Sequence, residues 1–174
     1  MNPMQSKVAL LNNIAGKTAT TDWSLIRRQW QLVESELNEA KDSINNKDFH
    51  GLRDDIADVL VTALGLAHLI GVDAEADFNA VFEALLTRFD MTEEDSEKTM
   101  KKYTDMGIRT HIHVHKTESQ TFYVTKSSLD QFDYKGEFYP KDKFLKSFQY
   151  RQEVLPAAPA DCPFIINESN KEPA

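Results

Sequence analysis

Residues 52–71 read LRDDIADVLVTALGLAHLIG. From Ile56 onward the stretch is apolar nearly all round, and its length suits a helix rather than a strand. A helix patterned in this way is enclosed on every side. Gly71 is read as its C-terminal stop. Asp58 and His68 interrupt the run 56–72, which is also short for a bilayer crossing, so a buried helix is expected and no membrane span. One small bundle can hardly cover such a helix alone. A homodimer or homotetramer is therefore expected, closed by symmetry.

The segments on either side extend the helical reading. Upstream, Ile26, Trp30, Val33, Leu37, Ala40 and Ile44 recur at steps of four and three, which marks one face of a helix over 23–44. Thr21 or Asp22 is the candidate N-cap, and Asn45, Asn46 and Gly51 mark a short connection to the next helix. A short helix over 7–14 is expected before that, ended by Gly16. Downstream, Phe78, Val81, Phe82, Leu85, Leu86 and Phe89 share one face of a helix over 74–89. Thr92 then caps a helix with Glu93, Glu94 and Asp95 in its first turn, ending near 106–107. Beyond Gly107 the period changes to two: Ile108, Ile112 and Val114, then Phe122 and Val124, predict a β-hairpin. Gly136 lies in a second turn before Phe138 and Tyr139, and a proline-rich, mobile tail is expected from Pro156. The expected class is mainly α: a helix bundle over 1–106, a small β-hairpin extension over 107–155, and a tail over 156–174.

Composition narrows the function. A formal charge of −8 on 174 residues argues against a nucleic-acid polymer as partner, though not against a single nucleotide bound with metal ions. The single cysteine, Cys162, forms no intramolecular disulfide, and the N-terminus does not read as a signal peptide, so a cytoplasmic location is expected. With six glycines and no Walker pattern, a P-loop is excluded.

Two acidic pairs stand out. Glu36 and Glu39 are three apart on one expected helix, and Asp55 and Asp58 are three apart on the next. Residues at that spacing share a face, and a short connection makes the helices antiparallel neighbours, so the pairs can face across one groove. Acidic residues at helical spacing usually form a solvated face. Here the 3.6-residue period sets Glu36 within the apolar stripe between Val33 and Ala40, and Asp58 lies among apolar neighbours. One carboxylate pair at ~4 Å repels by roughly 4 kcal/mol at an effective dielectric near 20, so a cation is required. Arg53 and Lys41 lie at helix ends. An all-oxygen set favours Mg²⁺, with Mn²⁺ as a substitute, over zinc.

The run Glu36-Leu-Asn-Glu39, a spacer, then Asp55-Ile-Ala-Asp58-Val-Leu resembles the MazG and phosphoribosyl-ATP pyrophosphohydrolase-like superfamily of all-α nucleotide pyrophosphatases. The similarity continues through Leu64-Gly65-Leu66-Ala67 to Gly71-Val72-Asp73 and covers roughly residues 25–106. Ser35 and Asp55 stand where the family often carries glutamates, and Leu85-Thr-Leu-Arg88 replaces its Asn-x-x-Lys. The resemblance implies hydrolysis of a nucleoside triphosphate at the α-phosphorus, with pyrophosphate leaving. Glu36, Glu39, Asp55 and Asp58 would hold Mg²⁺, and Arg88, Lys102 and Tyr103 would contact phosphates. Residues 107–150 resemble an extension on phage-encoded members, which implies a deoxynucleotide, foremost dGTP, in a host cytoplasm. Phosphoribosyl-ATP and pyrimidine deoxynucleotides are the alternative substrates, and a non-enzymatic helical interaction protein is the alternative class.

Asn12, Asn13 and Gln29 precede the carboxylates and offer amides that both donate and accept, so they and Trp23 are the base-binding candidates, with a solvent-facing role the plainer reading. His111, His113 and His115 share a strand face, for which solvation explains more than a metal does.

Overall fold

The computed structural model describes residues 3–165 of the chain. Among these, five helices are followed by two small antiparallel β-ribbons, so the mainly α class with a small β extension holds. The helices are α1 (Pro3–Ile14), α2 (Trp23–Asn46), α3 (Phe49–Ile70), α4 (Ala74–Leu86) and α5 (Glu93–Asp105). The strands are β1 (Thr110–Lys116), β2 (Thr121–Ser127), β3 (Gln131–Phe132) and β4 (Phe138–Tyr139). No single helix among the described residues is long and apolar enough to cross a membrane.

The described residues form two compact units, 3–78 with 156–165, and 79–155. In the first, α1 and α2 both pack on α3. Asp22 caps α2 by accepting from the Ser24 amide. The helix runs on through Asn45 and Asn46, which the sequence places in a loop, and stops at Lys47 in a left-handed conformation (φ 56°). Asp48 then accepts from the His50 and Gly51 amides and starts α3 at Phe49, so Gly51 lies inside the helix rather than in the connection. A two-residue link leaves α2 and α3 no choice but to run antiparallel. Gly71 closes α3 at φ 75°, as expected from its position.

Burial departs from the sequence reading. Ile26, Val33 and Leu69 are in the core, but Trp30 and Ile44 are 46% and 61% exposed. On α3 only Gly65 and Leu69 are fully buried, and Ile56 and Leu60 remain 53% and 49% exposed. Among the described residues α3 is therefore not enclosed: α1 and α2 are the helices packed most closely on it.

Residues 156–165 are not a free tail. Cys162 is buried with its Sγ 3.3 Å from the Ile70 carbonyl oxygen, and Phe164 meets Trp23 edge-on at 5.6 Å. Three apolar side chains in a row, Cys162, Pro163 and Phe164, outweigh the proline-rich context. The remainder of the expected tail lies outside the described residues.

In the second unit α5 packs on both β1 and β2, and Tyr103, Ile108, Tyr139 and Leu145 make its core with Met106 beside them. The contacts thus divide the chain at 78/79, whereas the change from helical to alternating pattern suggested 106/107. The amphipathic α5 uses the hairpin as its apolar partner. β1 and β2 pair from Thr110 opposite Ser127 to Lys116 opposite Thr121.

Candidate active site

Two glycines set how α2 and α3 meet. A Cβ on Gly65 would come within 2.8 Å of the Gln29 Nε2, and one on Gly51 within 2.8 Å of the Ser43 Oγ. Gln29 therefore lies against Gly65 at one end of the pair, and Ser43 against Gly51 at the other. Seven residues on from Gln29 is Glu36, and seven back from Gly65 is Asp58. Four back from Ser43 is Glu39, and four on from Gly51 is Asp55. The register of an antiparallel pair thus sets Glu36 near Asp58 and Glu39 near Asp55.

The electrostatics agree with this geometry. Glu36 is pushed above the ordinary carboxylate range, first by desolvation and then by the charges of Glu39, Asp58 and Asp55. Glu36 therefore feels the charges of the other three. Among the described residues, no ion pair joins any of them to a lysine or arginine, Lys41 and Arg53 included. Asp55 accepts a hydrogen bond from the Ser43 hydroxyl, which fixes its shorter arm. Ser43 was not singled out in the sequence; its place one helical turn beyond Glu39 was the available signal. Burial is less than expected: Glu36 and Asp55 are half-buried, while Glu39 and Asp58 are exposed, because α3 is open on one side. Among the described residues, no group of three or more His, Cys, Asp or Glu side chains is gathered tightly enough to form a finished metal cage. The donor set itself, four carboxylates with no sulfur or imidazole, fits a hard divalent cation.

A cavity of about 460 Å³ lies farther along the same helix pair, lined by Lys17, Thr20, Arg28, Gln29, Leu32 and Leu69, among others. Leu25, Gln29, Leu32, Glu36 and Glu39 succeed one another at helical steps, so cavity and carboxylates occupy one stripe of α2. Gln29 is separated from Glu36 by about 10 Å of helix at 1.5 Å per residue. Its amide is engaged at both ends, donating to the Thr62 carbonyl at 3.0 Å and accepting from the Lys17 ammonium at 3.1 Å. Lys17 and Arg28 were not foreseen. The signal for Lys17 was Gly16, whose left-handed turn (φ 71°) reverses the chain beside α2.

The other base candidates separate. Asn12 is buried, with its Nδ2 close to the space that Gly65 leaves open and no hydrogen-bond partner there. Asn13 lines a different cavity with Gln5, His68 and Asp73. Trp23 is 67% exposed against Phe164 and does not line the Gln29 cavity.

Arg88, Lys102 and Tyr103 belong to the second unit, where they gather around residues 146–147. The Tyr103 hydroxyl donates to the Lys146 carbonyl and accepts from its amide, at 3.1 and 3.0 Å. The Lys102 ammonium donates to the Lys146 and Ser147 carbonyls. Both therefore hold the backbone of that segment. His113 and His115 line an aromatic cavity with Phe89, Phe122 and Phe144, and His111 lies 3.9 Å from Asp142.

No protein-family model matches the chain, and no curated protein or solved structure is similar to it. The functional reading rests on the residues themselves.

Proposed function

We propose that the chain is a divalent-metal-dependent pyrophosphohydrolase of the MazG-like kind, converting a nucleoside triphosphate and water to the monophosphate and pyrophosphate. The observation that carries this reading is the facing of two carboxylate pairs, in one field, with no lysine or arginine paired to any of them among the described residues. Like charges gathered at a helix interface are unfavourable unless a cation completes them. Glu36, Glu39, Asp55 and Asp58 would hold Mg²⁺. Bound there, Mg²⁺ would offset the charge of the triphosphate and make water a good nucleophile near neutral pH.

The chain's own residues supply the remainder. Ser43 keeps the Asp55 carboxylate turned toward the groove. One of the glutamates orients the attacking water toward the α-phosphorus. The Gln29 cavity, about 10 Å along the stripe, takes the nucleoside end, with Leu32 and Leu69 against the base and the Lys17 ammonium at its edge. A nucleoside triphosphate is long enough to reach from one to the other.

Product analysis tests this directly. Purified protein incubated with each common nucleotide and Mg²⁺ should release pyrophosphate and monophosphate. Glu36→Gln and Asp58→Asn should abolish the reaction while leaving helical content unchanged. Near-full activity in either variant would sink the assignment. The exposed apolar residues Trp30, Ile44, Ile56 and Leu60 favour a second reading, a helical interaction protein. That reading has no need of Mg²⁺ and predicts no product with any nucleotide.

A further inference from the structure

The second unit carries a concentration of positive charge that its fold does not use up. A cavity of about 400 Å³ is lined by Arg88, Lys143 and Lys146, with Glu137 the only carboxylate on its walls among the described residues and the buried rings of Tyr103 and Tyr139 beneath. The cations are held in place. The Arg88 carbonyl accepts from the Ser147 amide at 3.1 Å, so residue 88 is tied to the strand-like segment that bears Lys146. The Lys146 backbone is gripped on both sides by the Tyr103 hydroxyl. The Arg88 guanidinium carbon and the Lys146 ammonium both sit over the Tyr150 ring, at 5.4 and 4.4 Å from its centroid. The Lys143 ammonium lies 4.5 Å over the Tyr139 ring and 3.7 Å from Glu137.

Aromatic faces attract cations, but they do not neutralise them. Three positive groups face one carboxylate, and that carboxylate is already shared between Lys143 and the Tyr139 hydroxyl. The Arg88 Nε is sealed from solvent with no acceptor. Most buried donors find a partner, so this guanidinium is under-satisfied, and its cavity-facing part is what an acceptor could meet. The neighbouring Lys102 is held below its ordinary value by desolvation and then by the charge of Lys146, opposed by Asp90. Cations are thus crowded here, in a chain whose formal charge is −8.

We propose that this cavity binds a small, multiply charged phosphate anion, with the Arg88 fork and the Lys143 and Lys146 ammonium groups as its ligands. A planar guanidinium matches two phosphate oxygens at once, and two mobile ammonium groups adapt to the others. The space admits a pyrophosphate or the phosphate tail of a nucleotide. The proposal uses residues of the second unit only and stands whether or not the carboxylates of the first unit catalyse hydrolysis.

Calorimetric titration in EDTA and low salt tests it, with pyrophosphate in one arm and a non-hydrolysable nucleoside triphosphate in the other. Without divalent metal the four carboxylates of the first unit repel both probes, and the Arg88, Lys143 and Lys146 variants separate binding here from binding at the Lys17 and Arg28 cavity. Pyrophosphate should bind, and Lys146→Gln or Lys143→Gln should each weaken it about tenfold, the loss of one charge-assisted contact. Arg88→Gln should weaken it at least as much, and Lys116→Gln, at the far end of the hairpin, should leave it unchanged. Tighter binding of the triphosphate with the same dependence on the three residues would identify a nucleotide tail as the source. No binding by the wild-type chain at millimolar probe, or equal affinity in folded Lys146→Gln and Lys143→Gln, would overturn the proposal. Binding lost in Glu36→Gln but kept in the lysine variants would overturn it as well.

Discussion

At the scale of single residues, Glu36 is the most informative group in the first unit. It is raised by desolvation and by three carboxylate neighbours. A carboxylate raised on folding favours the native state while protonated, and that contribution is lost as pH rises through its folded value. In EDTA, the melting temperature of the wild-type chain should therefore fall more steeply than that of Glu36→Gln as pH rises from about 4 to 7, the range in which carboxylates titrate. Excess Mg²⁺ should abolish the steeper fall of the wild-type chain, since a bound cation makes the ionised form the favoured one. Parallel melting curves for the two proteins in EDTA would show that the four carboxylates do not share a field. Ser43 belongs to this scale too. Its hydroxyl was invisible as a functional group in the sequence, because a serine near a helix end reads first as local capping chemistry. Only the approach of Gly51 and Asp55 makes it a positioning residue.

At the scale of elements, the meeting of α2 and α3 decides where everything else lies. Gly65 is the contact that matters most, since the Gln29 Nε2 and Asn12 Nδ2 lie 2.8 and 3.4 Å from where a Cβ would stand. Gly65→Ala asks the end of the Gln29 side chain to move off the Thr62 carbonyl, and should cost about 0.5–1.5 kcal/mol, the loss of one hydrogen bond. The check is chemical denaturation, with a lower midpoint and unchanged slope. A midpoint equal to wild type would mean that the helices separate freely here. The two acidic pairs and the helix pair bearing them were legible from spacing alone, because a helical period of 3.6 and a short link leave little freedom. The exact ends were not. Asn45 and Asn46 look like loop residues, yet α2 continues through them, since Lys47 can adopt the left-handed stop and Asp48 can cap the next helix at once. Nor was the partnership of α5 with the hairpin legible. An amphipathic stripe states that an element needs a partner, without saying which one. Lys17 and Arg28 escaped for a related reason: a cavity wall assembled from a loop and a helix has no one-dimensional pattern.

At the scale of the whole molecule, the apolar surface left open on α2 and α3 favours assembly. Trp30, Ile44, Ile56 and Leu60 are each near half exposed or more, on the two helices that carry the carboxylates. A second copy offers a matching apolar face under twofold symmetry, so light scattering should give two or four times the 19.9 kDa of one chain. A monodisperse 19.9 kDa species at micromolar concentration would refute this. Substrate choice is the remaining whole-molecule property: under the proposed function one ligand spans the Gln29 cavity and the carboxylates. The Gln29 cavity combines apolar walls at Leu32 and Leu69 with the Lys17 ammonium and the Arg28 side chain. Those cations are donors only, and Gln29 already spends its oxygen on Lys17. A base that turns acceptors toward them suits the cavity, and guanine presents two, O6 and N7, on one edge. Adenine turns a donor beside N7 on that edge, which would face a cation. dGTP should therefore be preferred over dATP, and over dCTP and dUTP, whose smaller rings fill less of the apolar wall. A site built on hydrogen bonds rejects a mismatched base strongly, because polar groups are then left unpaired. Lys17→Met should narrow the gap between dGTP and dATP in kcat/KM without changing the requirement for Mg²⁺. Competition among the four nucleotides reads the order directly. A pyrimidine or phosphoribosyl-ATP preferred over dGTP would remove the assignment of the base to this cavity while leaving the metal chemistry of the four carboxylates intact.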